Sequence, residues 1–195
     1  MGYTHYWYRP KTIKPEIFKQ IVVDLKQVIE KAGVPLAGAA GEGRPEFTDE
    51  LIVFNGIRNC GHKETDRIAI AWPAKGASGI NKSYDGNDAL KGSWFAGGLL
   101  GSRACPGDCS HETFCVEREY IPYDWQKEVK TGFWFSFCKT AYKPYDLIVQ
   151  AALIIMKHHL MDKVIIHSDG DDDLWNDARG LTTIVLGYGY NFKLD

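Results

Sequence analysis

Aromatic and cationic side chains occur together near the ends of several predicted strands, as a site for a nucleotide-like molecule requires. Aromatic faces stack on a base, whereas lysine or the N–H groups of a helix N-terminus bind a phosphate. Lys143 precedes Pro144, which marks a predicted helix start, so an anion there would meet both a charge and a helix dipole. The alternative is that the rings pack within a sheet and the basic groups lie in water. We predict a ligand site with three groups of residues: His5, Trp7 and Tyr145 for stacking or hydrogen bonding, Lys139 and Lys143 for phosphate, and His111 and Glu112 as polar contacts.

A run of acidic residues at 169–173 follows the predicted strand that ends at His167. Asp169 and Asp171, with His167, could hold Mg²⁺ or Mn²⁺ against a phosphate, as in metal-dependent phosphohydrolases and transferases. The alternative is helix capping, since an aspartate at a helix N-terminus accepts backbone N–H bonds. Capping is the favoured interpretation because no second acidic or histidine cluster is recognisable as a partner for the ion.

Five cysteines form an odd, unevenly spaced set, which predicts reduced thiols rather than a disulfide framework. Cys105 and Cys109, with His111 and Cys115 nearby, stand at spacings that a zinc ion could use. Against zinc, Cys115 belongs to a predicted strand, whose alternate side chains face opposite ways. Cys138 is predicted to be a thiol of the core. We therefore expect no cofactor, with the magnesium or zinc site as the alternative.

Helical and strand periodicities together predict the fold class. Apolar residues spaced at i, i+3 and i+4 predict a helix at 15–32 that ends at Gly33, and a second, largely buried helix is predicted at 144–160. A weaker helix is predicted at 173–186, and residues 73–92 are predicted to be a long connection. Strands are predicted at 3–9, 50–55, 67–72, 112–118, 133–139 and 163–167. Because this order does not alternate regularly, we predict a single α+β domain over residues 1–195, with a mostly antiparallel or mixed sheet covered by two long helices and a shorter C-terminal helix.

Composition excludes several classes of partner. The 195 residues carry 23 basic and 25 acidic side chains, a formal charge of −2, with no concentrated basic stripe to attract a nucleic-acid backbone. The longest apolar run, 151–156, is far shorter than the roughly 20 residues that cross a bilayer. Charged residues among the first twenty leave no room for a signal peptide. We expect a cytoplasmic protein that binds neither nucleic acid nor membrane.

Three stretches carry a family resemblance: Met1-Gly-Tyr-Thr-His-Tyr-Trp7, His111-Glu-Thr-Phe114 and Phe137-Cys-Lys-Thr-Ala-Tyr-Lys-Pro-Tyr-Asp146. Together they resemble a family of uncharacterised proteins from tailed phages and prophages, over most of the chain. Position 142 tends to be basic in that family, whereas Tyr142 stands here, and the family's loops are not rich in cysteine. The resemblance implies a phage accessory protein in the host-cell cytoplasm.

Residue types and resemblance combine in one functional hypothesis. We expect a phage accessory protein that binds a small anionic, nucleotide-like ligand without needing catalysis, as a counter-defence protein that sequesters a host immune signal. The hypothesis includes a homo-oligomer with the site near subunit contacts. One alternative is a metal-dependent phosphohydrolase, or a nucleotidyl or glycosyl transferase, that uses the acidic run at 169–173. The other is a protein-binding inhibitor of a host defence enzyme, presenting aromatic residues from 73–92 or 94–100.

Overall fold

The computed structural model describes residues 3–61, 107–122 and 132–195 in full, and the backbone of three strands at 67–71, 80–84 and 99–104. Within these residues the α-helices are α1 (Pro15–Ala32), α2 (Asp146–Leu160) and α3 (Asn176–Leu186). The strands are β1 (Thr4–Arg9), β2 (Glu46–Phe47), β3 (Leu51–Phe54), β4 (Arg67–Ala71), β5 (Ile80–Tyr84), β6 (Leu99–Ala104), β7 (Phe114–Glu117), β8 (Trp134–Lys139) and β9 (Ile165–Ser168).

The described strands form three antiparallel sheets of three strands each. Their orders are β8-β1-β9, β2-β3-β7 and β5-β4-β6. Inward-facing side chains of the first sheet, including Trp7, Cys138 and Ile166, join one hydrophobic core with residues of all three helices. The predicted α+β class, with antiparallel strands covered by two long helices and a shorter C-terminal one, is confirmed.

Helix α1 has the bounds that its apolar periodicity predicts. Pro15 occupies the first turn, where its missing N–H costs no hydrogen bond. The helix ends at Gly33, whose left-handed φ of 62° lets its N–H donate to the carbonyl of Ile29 at 3.0 Å. Phe18, Leu25 and other apolar residues at helical spacing are buried, so one face of α1 packs on the core and the other meets water.

Two predictions about segments are wrong. The stretch 73–92, predicted to be one connection, contains strand β5, which pairs with β4 in an antiparallel sheet. Non-local pairing with β4 outweighs the turn-rich composition around it. The C-terminal helix begins at Asn176 rather than at 173, because the chain first makes a 3₁₀ turn at Asp172–Trp175. Trp175 at the end of that turn is buried in the core.

No helix in the described parts of the chain is long and apolar enough to cross a membrane.

A buried carboxylate joins the three helical segments. Asp24 on α1 accepts hydrogen bonds from His159 Nε2 on α2 and from the hydroxyl of Tyr188, which follows α3, both at 2.7 Å. Gln20 Nε2 also donates to it, at 2.9 Å. Burial by itself would raise the pKa of Asp24, but the hydrogen bonds from His159, Tyr188 and Gln20 together hold that pKa below its usual range. The ionised carboxylate therefore stabilises the folded state.

Replacing Asp24 by asparagine should lower the free energy of unfolding by about 1–2 kcal/mol at pH 5, because the charged acceptor is lost. Because the pKa of Asp24 is lower in the folded than in the unfolded protein, its ionised form stabilises the folded state at pH values above the unfolded-state pKa of about 3.9. This stabilisation is lost as the pH falls through the folded-state pKa. The gap in unfolding free energy between wild type and Asp24→Asn, measured by urea unfolding, should therefore narrow as the pH falls from 5 through the unfolded value of about 3.9 and the lower folded-state pKa. The exposed Asp162→Asn variant serves as control, and a gap for Asp24→Asn that stays constant over this range would contradict the assignment.

Candidate functional site

Four of the seven predicted ligand residues meet at one end of the β8-β1-β9 sheet, near the loop that joins β8 to α2. Glu112 Oε2 accepts from the backbone N–H of Lys139 at 2.8 Å, and the Glu112 carbonyl accepts from the Tyr145 hydroxyl at 2.7 Å. Lys143 Nζ donates to the carbonyl of Asp108. Tyr145 and Lys143 are buried, whereas Glu112 and Lys139 are half-buried. These contacts hold the loop against the sheet end.

The other three predicted residues lie apart from these contacts. Trp7 is 1% exposed on the inward side of β1, and its ring packs against Phe114 with centroids 5.2 Å apart. His5 is fully buried on the same side of the strand. His111 is exposed, and its carbonyl accepts from Asn55 Nδ2 at 2.9 Å. A ligand could touch the rings of Trp7 and Tyr145 only if the core opened, so their part in binding stays a prediction.

A chain of hydrogen bonds, which the sequence analysis missed, joins Asp146, His5 and Ser168 on the inward side of this sheet. His5 Nε2 lies 2.8 Å from Asp146 Oδ1, and His5 Nδ1 lies 3.1 Å from Ser168 Oγ. Thr140 Oγ1 donates to the same Asp146 oxygen. The register explains the meeting, because His5 on β1 stands directly opposite Ser168 on β9. We refer to Asp146, His5 and Ser168 as the relay.

The relay lies among aromatic rings and one buried amide. The rings of Tyr3 and Trp175 each meet the His5 imidazole edge-on, with centroids 5.0 Å apart. Gln150 is fully buried, and its Nε2 donates to the Tyr3 hydroxyl at 3.4 Å and to the Leu174 carbonyl at 3.3 Å. Burial raises the pKa of Tyr3 to about 12. His5 and Asp146 are both fully buried, and the electrostatic interaction between them is therefore stronger than at the surface.

The loop between β8 and α2 holds two consecutive residues in the left-handed region. Ala141 has φ 50° and Tyr142 has φ 57°. Outside glycine such a conformation costs roughly 1 kcal/mol or more per residue. The backbone N–H groups of Thr140 and Ala141 both donate to the Tyr3 carbonyl, and the Tyr142 ring meets the Tyr3 ring edge-on at 5.1 Å. The strained turn thus connects the first turn of α2, which bears Asp146, to the start of β1.

The outward side of the same sheet carries a patch of rings. Alternation along β1 and β8 turns Tyr6, Tyr8, Phe135 and Phe137 away from the core, and Phe137 is 52% exposed. Tyr6 and Phe135 stack at 22° with centroids 6.3 Å apart, and Phe135 and Phe137 stack at 24° with centroids 5.8 Å apart. His167 on β9 is exposed, and its ring meets Tyr8 edge-on at 6.0 Å. We call these five residues the ring face.

Two polar residues border the ring face at one end. Lys139 follows Phe137 by two residues on β8, which places it on the outward side, and it stands opposite Thr4 of β1. On the other side of β1 the N–H of Asp169 donates to the Thr4 carbonyl, and the Asp169 carboxylate accepts from the Tyr6 hydroxyl. That hydrogen bond from Tyr6 lowers the pKa of Asp169. A cation and an anion thus lie across β1 from each other.

The predicted metal ligands do not converge within the described residues. No three His, Cys, Asp or Glu side chains come together there in a group that could hold a metal ion. Asp171 precedes the 3₁₀ turn, and in the described part of the chain its side chain makes no capping hydrogen bond. Cys109 is buried, while Cys105 lies outside the described residues. Most of 73–92 and 94–100, the segments predicted to present aromatic residues to a host enzyme, also lie outside them.

Cys138 lies in the core, as predicted. Its thiol is fully buried, and Sγ donates to the Glu112 carbonyl at 3.4 Å. Burial raises the pKa of this thiol, so the reactive thiolate is disfavoured. The residue therefore packs as a small apolar group.

No protein-family model matches the chain, and no curated protein or solved structure is similar to it by these comparisons. Two features on opposite sides of the β8-β1-β9 sheet bear on function. The ring face offers outward-facing aromatic side chains, and the relay offers a hydroxyl hydrogen-bonded to a histidine.

Proposed function

We propose that the protein binds a small nucleotide-like molecule whose base stacks on the ring face and whose phosphate meets Lys139. The observation that carries the proposal is the group of four neighbouring rings on the outward side of the sheet, with half of the Phe137 side chain exposed. Sequestration of a signal nucleotide by a phage accessory protein would need no more than such binding. The Lys139 contact is the one predicted from the sequence. For stacking, this proposal uses the outward-facing rings in place of His5, Trp7 and Tyr145, which are buried.

The arrangement of the rings supports a flat ligand. The ring planes of Tyr6 and Phe135 differ by 22°, and those of Phe135 and Phe137 differ by 24°. Aromatic side chains that line one side of a sheet offer apolar contact to a planar base. Stacking of a base on an aromatic side chain contributes about 1–3 kcal/mol, judged by alanine substitution. Every base offers such a face, so stacking alone does not choose among bases.

The charges around the ring face support a single nucleotide rather than a nucleic-acid strand. The chain carries a net charge of −2, and a strand needs many cations along its backbone. Lys139 supplies one cation at the end of the ring face, which suits a terminal phosphate. Asp169, across β1, supplies carboxylate oxygens that can accept hydrogen bonds from ribose hydroxyls.

Thermal-shift and calorimetric titrations test the proposal directly. The ligands are adenosine 5′-monophosphate, ADP-ribose and cyclic dinucleotides, with ribose 5-phosphate and inorganic phosphate as controls without a base. A ligand present at 100 times its Kd stabilises the folded state by about 2.7 kcal/mol, which gives a measurable shift in Tm. Binding by base-bearing ligands alone supports the proposal. The absence of any shift at millimolar concentrations, or equal shifts with inorganic phosphate, would contradict it.

Replacing Phe137 by alanine should weaken binding of the best nucleotide about ten-fold, because one stacking surface is removed. The side chain is half exposed, so the free energy of unfolding should fall by less than about 1.5 kcal/mol. Tyr190→Ala provides a matched control, since Tyr190 is an exposed ring that follows α3. Calorimetry should give the wild-type Kd for Tyr190→Ala. An equal loss of affinity in Phe137→Ala and Tyr190→Ala would show that the nucleotide does not bind on the ring face.

A further inference from the structure

We propose that Ser168 is a nucleophile activated by His5 and Asp146, and that the protein hydrolyses small carboxylic esters at this residue. This activity is independent of ligand binding on the ring face, which lies on the other side of the sheet. Ser168 lies at the end of β9, His5 lies on β1, and Asp146 begins α2. Two hydrogen bonds through the imidazole of His5 link the Ser168 hydroxyl to the Asp146 carboxylate. A nucleophile, a base and a group that orients the base are the three parts of an activated hydroxyl.

The geometry of the imidazole suits this role. His5 Nε2, carrying its proton, donates to Asp146 Oδ1 at 2.8 Å, which leaves the lone pair of Nδ1 facing Ser168 Oγ at 3.1 Å. Both distances fall within the range of about 2.6–3.2 Å in which a base can take the proton of a nucleophile. Thr140 donates to the same carboxylate oxygen of Asp146 and so fixes its position. The orientation of the base is therefore set by buried contacts.

Exposure along the relay decreases from the nucleophile to the carboxylate. Ser168 is half-buried, whereas His5 and Asp146 are both 0% exposed. Ser168 is thus the member of the relay in partial contact with solvent, while the imidazole stays out of water. Ser168 ends β9, and the chain turns at Gly170, where a Cβ atom would lie 2.7 Å from the Tyr3 hydroxyl. Glycine therefore permits the close approach of this turn to Tyr3, whose ring contacts His5.

The turn after Ser168 also supplies a backbone donor. The N–H of Gly170 donates to Ser168 Oγ at 3.3 Å. This N–H is directed at the hydroxyl oxygen itself, so it helps to hold Ser168 Oγ in place beside His5.

The reaction proceeds in two halves. Ser168 Oγ forms a bond to the ester carbonyl carbon while its proton passes to His5 Nδ1, and the resulting imidazolium is stabilised by Asp146. The bond to the alcohol oxygen then breaks, and the alcohol leaves with the proton from His5. Water attacks the acyl-serine with His5 as base, which releases the carboxylic acid and restores the Ser168 hydroxyl. No oxidant, reductant or metal takes part in these steps.

A fluorophosphonate probe tests the nucleophile. Its phosphorus forms a bond to an activated serine oxygen and fluoride leaves, so the adduct marks the residue in a peptide map. We expect the folded wild-type protein to be labelled at Ser168 and Ser168→Ala to lose that label. Ser136→Ala is the matched control, because Ser136 lies on the same inward side of the sheet, on β8, and should leave the rate unchanged. Absence of the Ser168 adduct in the folded wild-type protein would overturn the proposal.

Replacing His5 by glutamine shows whether Ser168 reacts with the probe because His5 activates its hydroxyl or only because the hydroxyl is accessible. Glutamine can still donate to Asp146 but provides no base at the position of Nδ1, so labelling of Ser168 should slow at least about 100-fold. Equal rates in wild type and His5→Gln would overturn the proposal. Should this variant fail to fold by circular dichroism, native and urea-unfolded wild-type protein are compared instead. Labelling of Ser168 only in the native protein supports activation, and equal labelling of both states overturns it.

Turnover of p-nitrophenyl acetate measures the second half of the reaction. The folded protein should release p-nitrophenolate continuously, and Ser168→Ala should reduce the rate to that of the buffer. A rate in Ser168→Ala equal to that of the wild type would overturn ester hydrolysis at this residue. The thermal-shift titration with nucleotides is unaffected by this result, so the two proposals fail or succeed separately.

Discussion

Replacing Asp146 by alanine is expected to lower the free energy of unfolding by about 3–5 kcal/mol, because two buried donors lose their acceptor. The side chain is fully buried and accepts from His5 Nε2 and Thr140 Oγ1. Each donor left without a partner in the core costs about 1–3 kcal/mol. Asp146 is also the first residue of α2, where a negative charge interacts favourably with the helix dipole.

Urea unfolding followed by circular dichroism measures this loss. Asp146→Asn keeps one carbonyl oxygen in place, so it should recover part of the stability, and the exposed Asp162→Ala should change the stability by less than about 0.5 kcal/mol. A change below about 1 kcal/mol for Asp146→Ala would show that the contact between His5 and Asp146 does not stabilise the fold. The proposed role of Asp146 in orienting His5 would then also lose its support.

Replacing Trp7 by alanine is expected to lower the free energy of unfolding by about 3–5 kcal/mol, the usual cost of removing a large buried ring. The side chain is 1% exposed and packs on Phe114, which in turn packs on Phe54 at 4.9 Å between centroids. Its truncation would leave a cavity between the β8-β1-β9 sheet and the β2-β3-β7 sheet, to which Phe114 and Phe54 belong.

Trp7→Phe is the control for Trp7→Ala, because it changes the side chain without emptying the space that the ring fills. Phenylalanine keeps most of the ring, and Trp7 Nε1 makes no hydrogen bond within the described residues, so the indole N–H adds no stability there. We expect a change below about 1.5 kcal/mol, measured by far-ultraviolet circular dichroism because the indole fluorescence itself changes. A stable Trp7→Phe variant that binds nucleotides ten-fold more weakly would support the original prediction that Trp7 contacts the ligand. Unchanged affinity would place Trp7 in the core alone.

Much of the fold could be predicted from local patterns. The apolar spacing of α1, with Pro15 at its start and Gly33 after its end, places both helix ends correctly because these signals act within a few residues. Strand β5 was missed, since its five residues Ile80–Tyr84 are largely polar and pair with β4 through contacts that no local pattern reports. Strand propensity depends on such neighbours more than helix propensity does.

The candidate sites were less predictable than the fold. Phe135 and Phe137 lie two residues apart in the predicted strand 133–139, so they share one side of it, but no local pattern shows that this side faces outward. His5 is one of the predicted ligand residues and Asp146 lies near the start of the predicted helix 144–160, yet 141 positions separate these residues in the chain. Ser168 carried no signal at all, because a serine after a strand is common in turns.

The amino-acid sequence by itself determined the helices, most strands, the α+β class and the burial of Cys138, because these follow from periodicity and apolar content. The tertiary structure alone decided that Trp7 and Tyr145 lie in the core while Tyr6 and Phe137 face outward, and that His5 meets Ser168. The physical reason is that strand register and sheet packing are set by the sum of many long-range contacts. A shift of one residue in the register between β1 and β9 would turn Ser168 away from His5 and remove the relay.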